Sequence, residues 1–391
     1  MPALFLIVFV DLVGFGIIIP LLPFYAEHHQ ATPDVVGLVM ATYSLTQFVA
    51  APYWGRLSDR MGRRPVLMLT LVGTALAYFW LGYADSLWEL FAARALGGFM
   101  AGNISTAFAY AADVTTPENR AKGMGMIGAA FGLGFIAGPA IGGMLAGSDP
   151  LNADYHTPAM AACALSALAF VLTAVMLKES LSEELRGKAA RKARTGRVAQ
   201  FRDALSRPGI GFSILLIFLS TFVFAGMETT FAMWSWRLFG WGPAQNGYLF
   251  AGVGLVGAII QGGMMGRLAR RHGEARLVTV GAATLAAGLA SLPLAGSVPA
   301  VAIAMTVTAI GFSIMNPALT SLVSLQAGAE DQGTVMGVSR SSSTLARVAG
   351  PAWAGAMFAY LGPDWPYYGG ALVMAVVVAL CFWRRWKLSP D

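Results

Sequence analysis

Charge is what this chain has least of. Only 12% of its 391 residues are Asp, Glu, Lys or Arg, 57% are apolar, and the mean hydropathy is +0.63. A soluble domain carries about 25% charged residues, so a water-exposed globule is excluded and a polytopic membrane protein is expected. Cysteine is nearly absent. Cys163 and Cys381 both fall inside apolar runs, which argues against a disulfide framework or a thiolate metal site and leaves two structural thiols, expected to be buried. The four histidines, His28, His29, His156 and His272, stand in expected loops without ligand spacing, so no metal site is expected. No G-x-x-x-x-G-K-[ST] run is present to cradle a nucleotide phosphate. The opening stretch MPALFLIVFVDLVGFGIIIPLLPF lacks a basic n-region and a small-residue cleavage site, so it reads as a retained span and not a signal peptide.

What is present in quantity is apolar length. A bilayer core of about 30 Å needs about 20 helical residues. The chain offers that length twelve times, near 3–26, 34–56, 65–84, 88–112, 120–146, 157–177, 209–236, 244–266, 276–296, 298–326, 332–360 and 365–384. The single long polar segment, KESLSEELRGKAARKARTGRVAQFRDALSRP, divides them six and six. The expected organisation is therefore a six-helix bundle over 1–177, a linker over 178–208 that is either a surface helix or a plain connection, and a second bundle over 209–391. With both termini placed inside the cell, the clusters at 56–64, 120–122, 178–207, 267–276 and 384–387 all fall on the cytoplasmic side. The outer loops AEHHQATPD and GSDPLNADYHTP hold no Lys or Arg. That asymmetry follows the positive-inside rule. The net charge of +6 thus records orientation, and no nucleic-acid partner is expected.

The two halves repeat. GRLSDRMGRRPV at 55 recurs as GRLARRHGEARL at 266, and ENRAKGMGMIGAAFGLGFIAGPAIGG at 118 recurs as EDQGTVMGVSRSSSTLARVAGPAWAG at 330, at nearly one offset. A six-helix unit duplicated in parallel is an arrangement of transporters with a site near the midplane. In the first copy Gly55 and Gly62 would permit a tight turn, Arg56, Arg60, Arg63 and Arg64 would lie in the headgroup zone, and Asp59 is too near the membrane to stay unpaired. In the fifth span Gly134, Gly138, Pro139, Gly142 and Gly143 follow G-x-x-x-G-P-x-x-G-G, with glycines every fourth residue on one face and a bend at Pro139. The stretch GVGLVGAIIQGGMMG of the eighth span is an expected packing partner for that face.

The loop G-R-L-S-D-R-M-G-R-R-P resembles the signature of the major facilitator superfamily, and the resemblance covers essentially the whole chain. It implies an all-α membrane protein of twelve transmembrane helices in two pseudo-symmetric six-helix bundles. It also implies a charge lock in which Asp59 faces the start of the eleventh helix and Arg63 pairs with Asp113; simple topogenic charge is the alternative. The second copy has Arg270 where the aspartate stood, so the first lock alone is expected to be intact. The fifth-span motif resembles the antiporter signature of the drug/proton branch, against a generic small-residue packing face. RALGGFMAG, headed by Arg94, resembles the fourth-helix signature, which implies that Arg94 modulates the titration of an acid; otherwise it snorkels. The chain is most similar to tetracycline/proton antiporters, yet it lacks the acids within the third and ninth helices and the histidine of the eighth that those carry.

Charges inside spans are costly and each asks for a role. Asp11, about 15 Å deep in the first span at 1.5 Å per residue, reads as a proton carrier or cation ligand, or as a structural acid paired with an arginine. Glu228 in FAGMETTFAMWSWR is a second candidate for proton or substrate; Arg340 lies near an inner end, and Arg347 is deep with no evident sequence partner. Asn103 and Asn316 occupy equivalent places in the fourth and tenth spans and either bind substrate or join helices. Phe231 and Trp234, with Met233 and Trp236, suit an adaptable apolar wall, or else an interfacial aromatic belt.

The expectation is a non-enzymatic, proton-coupled antiporter of small lipophilic substrates, cationic or zwitterionic forms included. It needs no cofactor beyond protons, works as a monomer among membrane lipids, and spans the inner membrane with both termini cytoplasmic. A symporter or facilitator for a small metabolite, or a lipid flippase, is the alternative.

Overall fold

The computed structural model describes residues 1–116, 119–181, 197–328 and 331–388, with the backbone alone at 120–122, 197–200, 208 and 384–388. The central part of the expected linker, and the side chains of Arg120 and Lys122, lie outside the described residues. Every regular element among the described residues is helical. In order they are α1 (Pro2–Ile18), α2 (Leu22–His28), α3 (Pro33–Met61), α4 (Arg63–Gly82), α5 (Leu87–Met100), α6 (Ile104–Asp113), α7 (Arg120–Ala146) and α8 (His156–Met176). There follow α9 (Arg197–Ser206), α10 (Pro208–Phe239), α11 (Pro243–Ile259), α12 (Met265–His272), α13 (Glu274–Ser291), α14 (Val298–Gln326), α15 (Gln332–Tyr360) and α16 (Trp365–Leu388). Among the described residues nine helical stretches are long and apolar enough to cross a bilayer, α1 with α2 and α11 with α12 each making one of them.

Three of the twelve expected spans form helices outside that group. The fourth is not continuous. It breaks between α5 and α6 at a 3-10 turn, Ala101–Asn103. The cause lies on α3: Trp54 Nε1 donates to Phe99 O at 2.6 Å and Gln47 Nε2 donates to Ala101 O at 3.2 Å, so both carbonyls are engaged from outside their own helix. The ninth, α13, opens on Glu274 and Arg276, and the eleventh, α15, carries Arg340, Arg347 and a run of serines.

Local chemistry sets the element ends. Ser86 caps α5 by accepting from the amide of Glu89 at 3.3 Å, while Glu89 reaches back to the amide of Asp85 at 2.7 Å, a variant of the capping box. Gly62, at φ +105°, is the single residue that separates α3 from α4, a conformation that glycine adopts at least cost. Gly55 does not serve that turn. It sits inside α3, where an added Cβ would meet open space.

The chain divides into two compact units. The first comprises Met1–Arg194 and Ala232–Ala251; the second comprises Thr195–Phe231 and Gly252–Asp391. The C-terminal part of α10 and the start of α11 thus belong with the first unit, whereas the sequence expectation placed all of 209–391 together. In the first unit α1 lies against α7 and α8, and α4 packs on α8 and α5. Its core gathers Leu4, Ile7, Leu67, Leu71, Ala111 and Ile127. In the second, α13 packs on α14 and α16. Cys381 is buried, but Cys163 is only half-buried, and neither is in a disulfide among the described residues.

Candidate functional site

At the Gly62 end of the first unit the loop residues close into a charge network. Arg63 Nη1 lies 2.6 Å from Asp59 Oδ1 and donates to Ser58 Oγ at 2.7 Å, and Arg63 Nε donates to Asp113 Oδ2 at 3.2 Å. One buried guanidinium therefore joins α3, α4 and the end of α6. Arg60 points outward and has no ion pair or hydrogen bond among the described residues. The sequence reading missed a further member. Glu179, at the start of the polar segment, accepts from the amides of Arg63 at 2.9 Å and Arg64 at 3.1 Å and so caps α4, a favourable place for a carboxylate at a helix N-terminus. A Cβ on Gly62 would run into that carboxylate. Ser180 donates to Asp113 at 3.0 Å, and Tyr110 donates to Lys178 O at 2.9 Å. An acid 116 residues from its partners has no local pattern to reveal it.

Deeper in the same unit, Asp11 on α1 accepts from Ser166 Oγ on α8 at 3.2 Å and has no cation within ion-pair distance among the described residues. It lines a small cavity of about 30 Å³ together with Leu67, Leu71, Asn103, Ile127 and Phe131. Asn103 is buried and donates to Thr70 Oγ1 at 2.8 Å, which ties the 3-10 turn to α4. Arg94 on α5 is buried, with the centre of its guanidinium 4.3 Å from the centroid of the Tyr43 ring. The structure thus gathers Asp11 and Asn103 on one cavity wall and leaves Arg94 outside that lining.

The glycine face of α7 has two partners. An added Cβ at Gly134 would lie 2.8 Å from Leu12 Cβ, one at Gly138 would lie 2.6 Å from Gly16 Cα, and one at Gly142 would collide with Ile17 O, so this face packs on α1. Gly143 instead meets the start of α11, 2.7 Å from Pro243 O and 3.0 Å from Ala244 Cα, and Gly247 abuts Pro139 O. The amide of Ala244 donates to Gly147 O at 3.0 Å. The expectation of a partner in 252–266 is corrected: Gly252, Gly262, Gly263 and Gly266 face open space, and the contact is made by residues 243–247. The motif reads the glycines but not the partner, because small residues permit close approach without specifying to what. Nearby, Glu27 Oε1 and Arg237 Nη2 form an ion pair of 2.8 Å, and Phe24 packs on Trp236. Trp234 is fully buried against Phe239, which rules out an exposed belt position.

In the second unit Glu228 on α10 is paired with Arg347 on α15, Oε2 to Nη1 at 3.5 Å, which supplies the partner that the sequence did not reveal. Phe231, one turn on, is fully buried. Asn316 is half-buried, and its backbone carbonyl accepts from Thr320 at 3.0 Å. Arg207 bridges Asp203 at 2.8 Å and Asp331 at 2.9 Å.

The chain has relatives of similar length among known proteins. It is 32% identical to the tetracycline resistance protein, class E, of Escherichia coli over 393 residues, which cover 96% of this chain and 93% of that one. It is 29% identical to multidrug resistance protein 2 of Bacillus subtilis (strain 168), with 97% and 94% covered. Among solved structures, the human organic anion transporter MFSD10 is similar at a TM-score of 0.74 and 27% identity, covering 97% of this chain and 98% of that one. The sequence model of the Major Facilitator Superfamily matches residues 4–351 and 236–391, and the chain belongs to that family of membrane transporters.

Proposed function

We propose that the protein is a proton-coupled antiporter of the inner membrane, both termini cytoplasmic, that exports small lipophilic molecules by alternating access. The observation that carries this reading is Asp11. It is an ionisable group within a span, on a cavity wall, held by one hydroxyl and by no cation among the described residues. Such a group is functional by default, since its charge is costly and a purely structural acid would carry a permanent partner. Protonation and deprotonation of Asp11 change the charge of the cavity wall, so the affinity for a charged substrate beside it depends on whether Asp11 carries a proton. Glu228, paired with Arg347, is the second titratable position.

The relatives, tetracycline and multidrug resistance proteins and an organic anion transporter, support small drug-like substrates. The network of Asp59, Arg63, Asp113 and Glu179 serves as a conformational latch: interactions made in one state and lost in the other are what bias a two-state equilibrium. The α7 contacts at Gly143 and Pro139 serve as the opposing closure.

The test is transport in proteoliposomes. Under an imposed pH gradient, a panel of lipophilic compounds that includes tetracycline should yield at least one whose uphill movement dissipates the gradient, and the folded Asp11→Asn variant should lose that coupling. Gradient-driven export retained by Asp11→Asn would remove Asp11 from the mechanism. No coupled movement of any compound would sink the antiporter reading.

A further inference from the structure

Among the described residues of the first unit, Arg94 is a deeply placed cation whose chemistry is unfinished. Arg94 is 4% exposed, its Nε is buried without a hydrogen-bond partner, and no carboxylate lies within ion-pair distance of it among the described residues. The contrast within the molecule is sharp. Arg63 has two carboxylates, Arg207 two, Arg237 one and Arg347 one. A guanidinium offers five N–H donors in a fixed plane and stays charged in a protein. The Tyr43 ring, 4.3 Å from the guanidinium carbon, attracts the positive charge but accepts none of those N–H groups in the plane. With one face covered by an aromatic ring and Nε sealed, the edge carrying the two terminal nitrogens is the way in for an anion, and a planar carboxylate matches that edge in a bidentate manner.

The surroundings define the rest of the ligand. Tyr43 stacks on Phe15 of α1 with ring centroids 5.1 Å apart, and Phe15 meets Phe135 of α7 edge-on at 6.0 Å. Tyr78 on α4 is buried within electrostatic reach of both Arg94 and Asp11. Phe15 stands four residues after Asp11 on α1, so the two share one face of that helix, about 6 Å apart along its axis. An aromatic wall beside a single unmatched cation, with an acid one turn away, suits an amphipathic molecule whose charged end is negative.

We infer that Arg94 receives a carboxylate or similar anionic group of the substrate, so that the exported class is amphipathic organic anions, including zwitterions that retain such a group. This rests on the transport reading above and sharpens it. It changes the part played by Arg94: the residue touches substrate directly and does not only bias the titration of an acid.

The experiment separates the two ideas by measuring binding and transport on a matched pair of probes, 2-naphthoate and 2-naphthamide, which differ in charge and hardly in shape. Full-length protein in phosphatidylcholine nanodiscs is dialysed to equilibrium against each probe. Wild type should hold the acid about tenfold or more tightly than the amide. Arg94→Gln should lose that preference and keep its affinity for the amide; Arg94→Lys, which keeps the charge but not the fork, should retain part of it. Equal affinities in wild type, or a preference that survives in Arg94→Gln, would overturn the assignment, and the wild-type comparison decides even if Arg94→Gln does not fold. Replacing part of the lipid with phosphatidylglycerol should leave the acid's affinity unchanged; competition by that lipid would assign the anion to a headgroup and defeat the substrate reading. Acid binding through Arg94 without pH-driven uptake into inverted vesicles would defeat the antiporter reading and spare the site. Coupled export of tetracycline without acid preference would do the reverse.

Discussion

Adding one methyl group to α7 separates the structural glycines from the incidental ones. A Cβ at Gly138 would lie 2.6 Å from Gly16 Cα, 2.7 Å from Gly16 C and 2.8 Å from Val13 O, all backbone atoms that no side-chain rotation can move. Carbon–carbon contacts settle at about 3.5–4.0 Å, so Gly138→Ala requires α7 and α1 to part by about 1 Å along that line. Overpacking of this kind costs about 1–3 kcal/mol. The gain in helix propensity from Gly to Ala returns about 0.8–1 kcal/mol. Gly132→Ala on the same helix is the control, because nothing lies within 4 Å of its added Cβ and only the propensity gain applies. The two variants should therefore differ by about 1–3 kcal/mol, with Gly132→Ala at or above wild type. Thermal unfolding of the purified proteins in one detergent reads this as a gap of several degrees, and Gly138→Leu should not yield folded protein. Gly143→Ala, which presses on Pro243 and Ala244, should fold but leak protons. If Gly138→Ala and Gly132→Ala melt together, the close approach of α1 and α7 is not a real constraint and the packing argument fails.

The other predictions use charges. Glu179→Gln leaves the amides of Arg63 and Arg64 with a weaker acceptor and should cost about 1–3 kcal/mol in thermal stability, with increased cysteine-probe accessibility near Arg63; unchanged values would make Glu179 dispensable. Glu228→Gln and Arg347→Gln should each lower stability, and the double variant should lose less than the sum, because each single change strands one charge of the pair. Strict additivity would show that the pair is not coupled. Asp154, in the loop before α8, is partly desolvated, which raises its pKa, but the hydroxyl and amide of Thr157 outweigh this and hold it below the usual carboxylate value. A depressed folded pKa means that its contribution is present above the unfolded value near 3.9 and is lost as pH falls through the folded one. Asp154→Ala should accordingly cost about 1 kcal/mol at pH 7 and progressively less on acidification below about pH 4; a cost that does not change with pH would refute a role for its charge in holding Thr157.

Fold class was legible because apolar length and the internal repeat are properties of composition and spacing. The pairing of Arg63 with Asp113 was also within reach, since the resemblance of the loop to the family signature implies it. The partners of Glu179, Arg347 and the α7 glycines were not. Each is set by tertiary packing between segments far apart in sequence, and a glycine pattern records that something comes near without recording what. The break at Ala101–Asn103 was hidden for a related reason. GFMAGN reads as an uninterrupted apolar helix, and the interruption comes from Trp54 and Gln47 on another helix, which take up its carbonyls.

The cap that Glu179 places on α4 bears on where this chain can be cut. A half-molecule ending at Leu177, the boundary suggested by hydropathy, would discard the acceptor for two amides and the hydroxyl of Ser180 that rests on Asp113. One ending at Leu181 would keep all three. Co-expressed fragments, fusion junctions and inserted protease sites should leave residues 178–181 joined to the helices before them, because the four residues that look like the start of a tether hold the start of α4 and the end of α6.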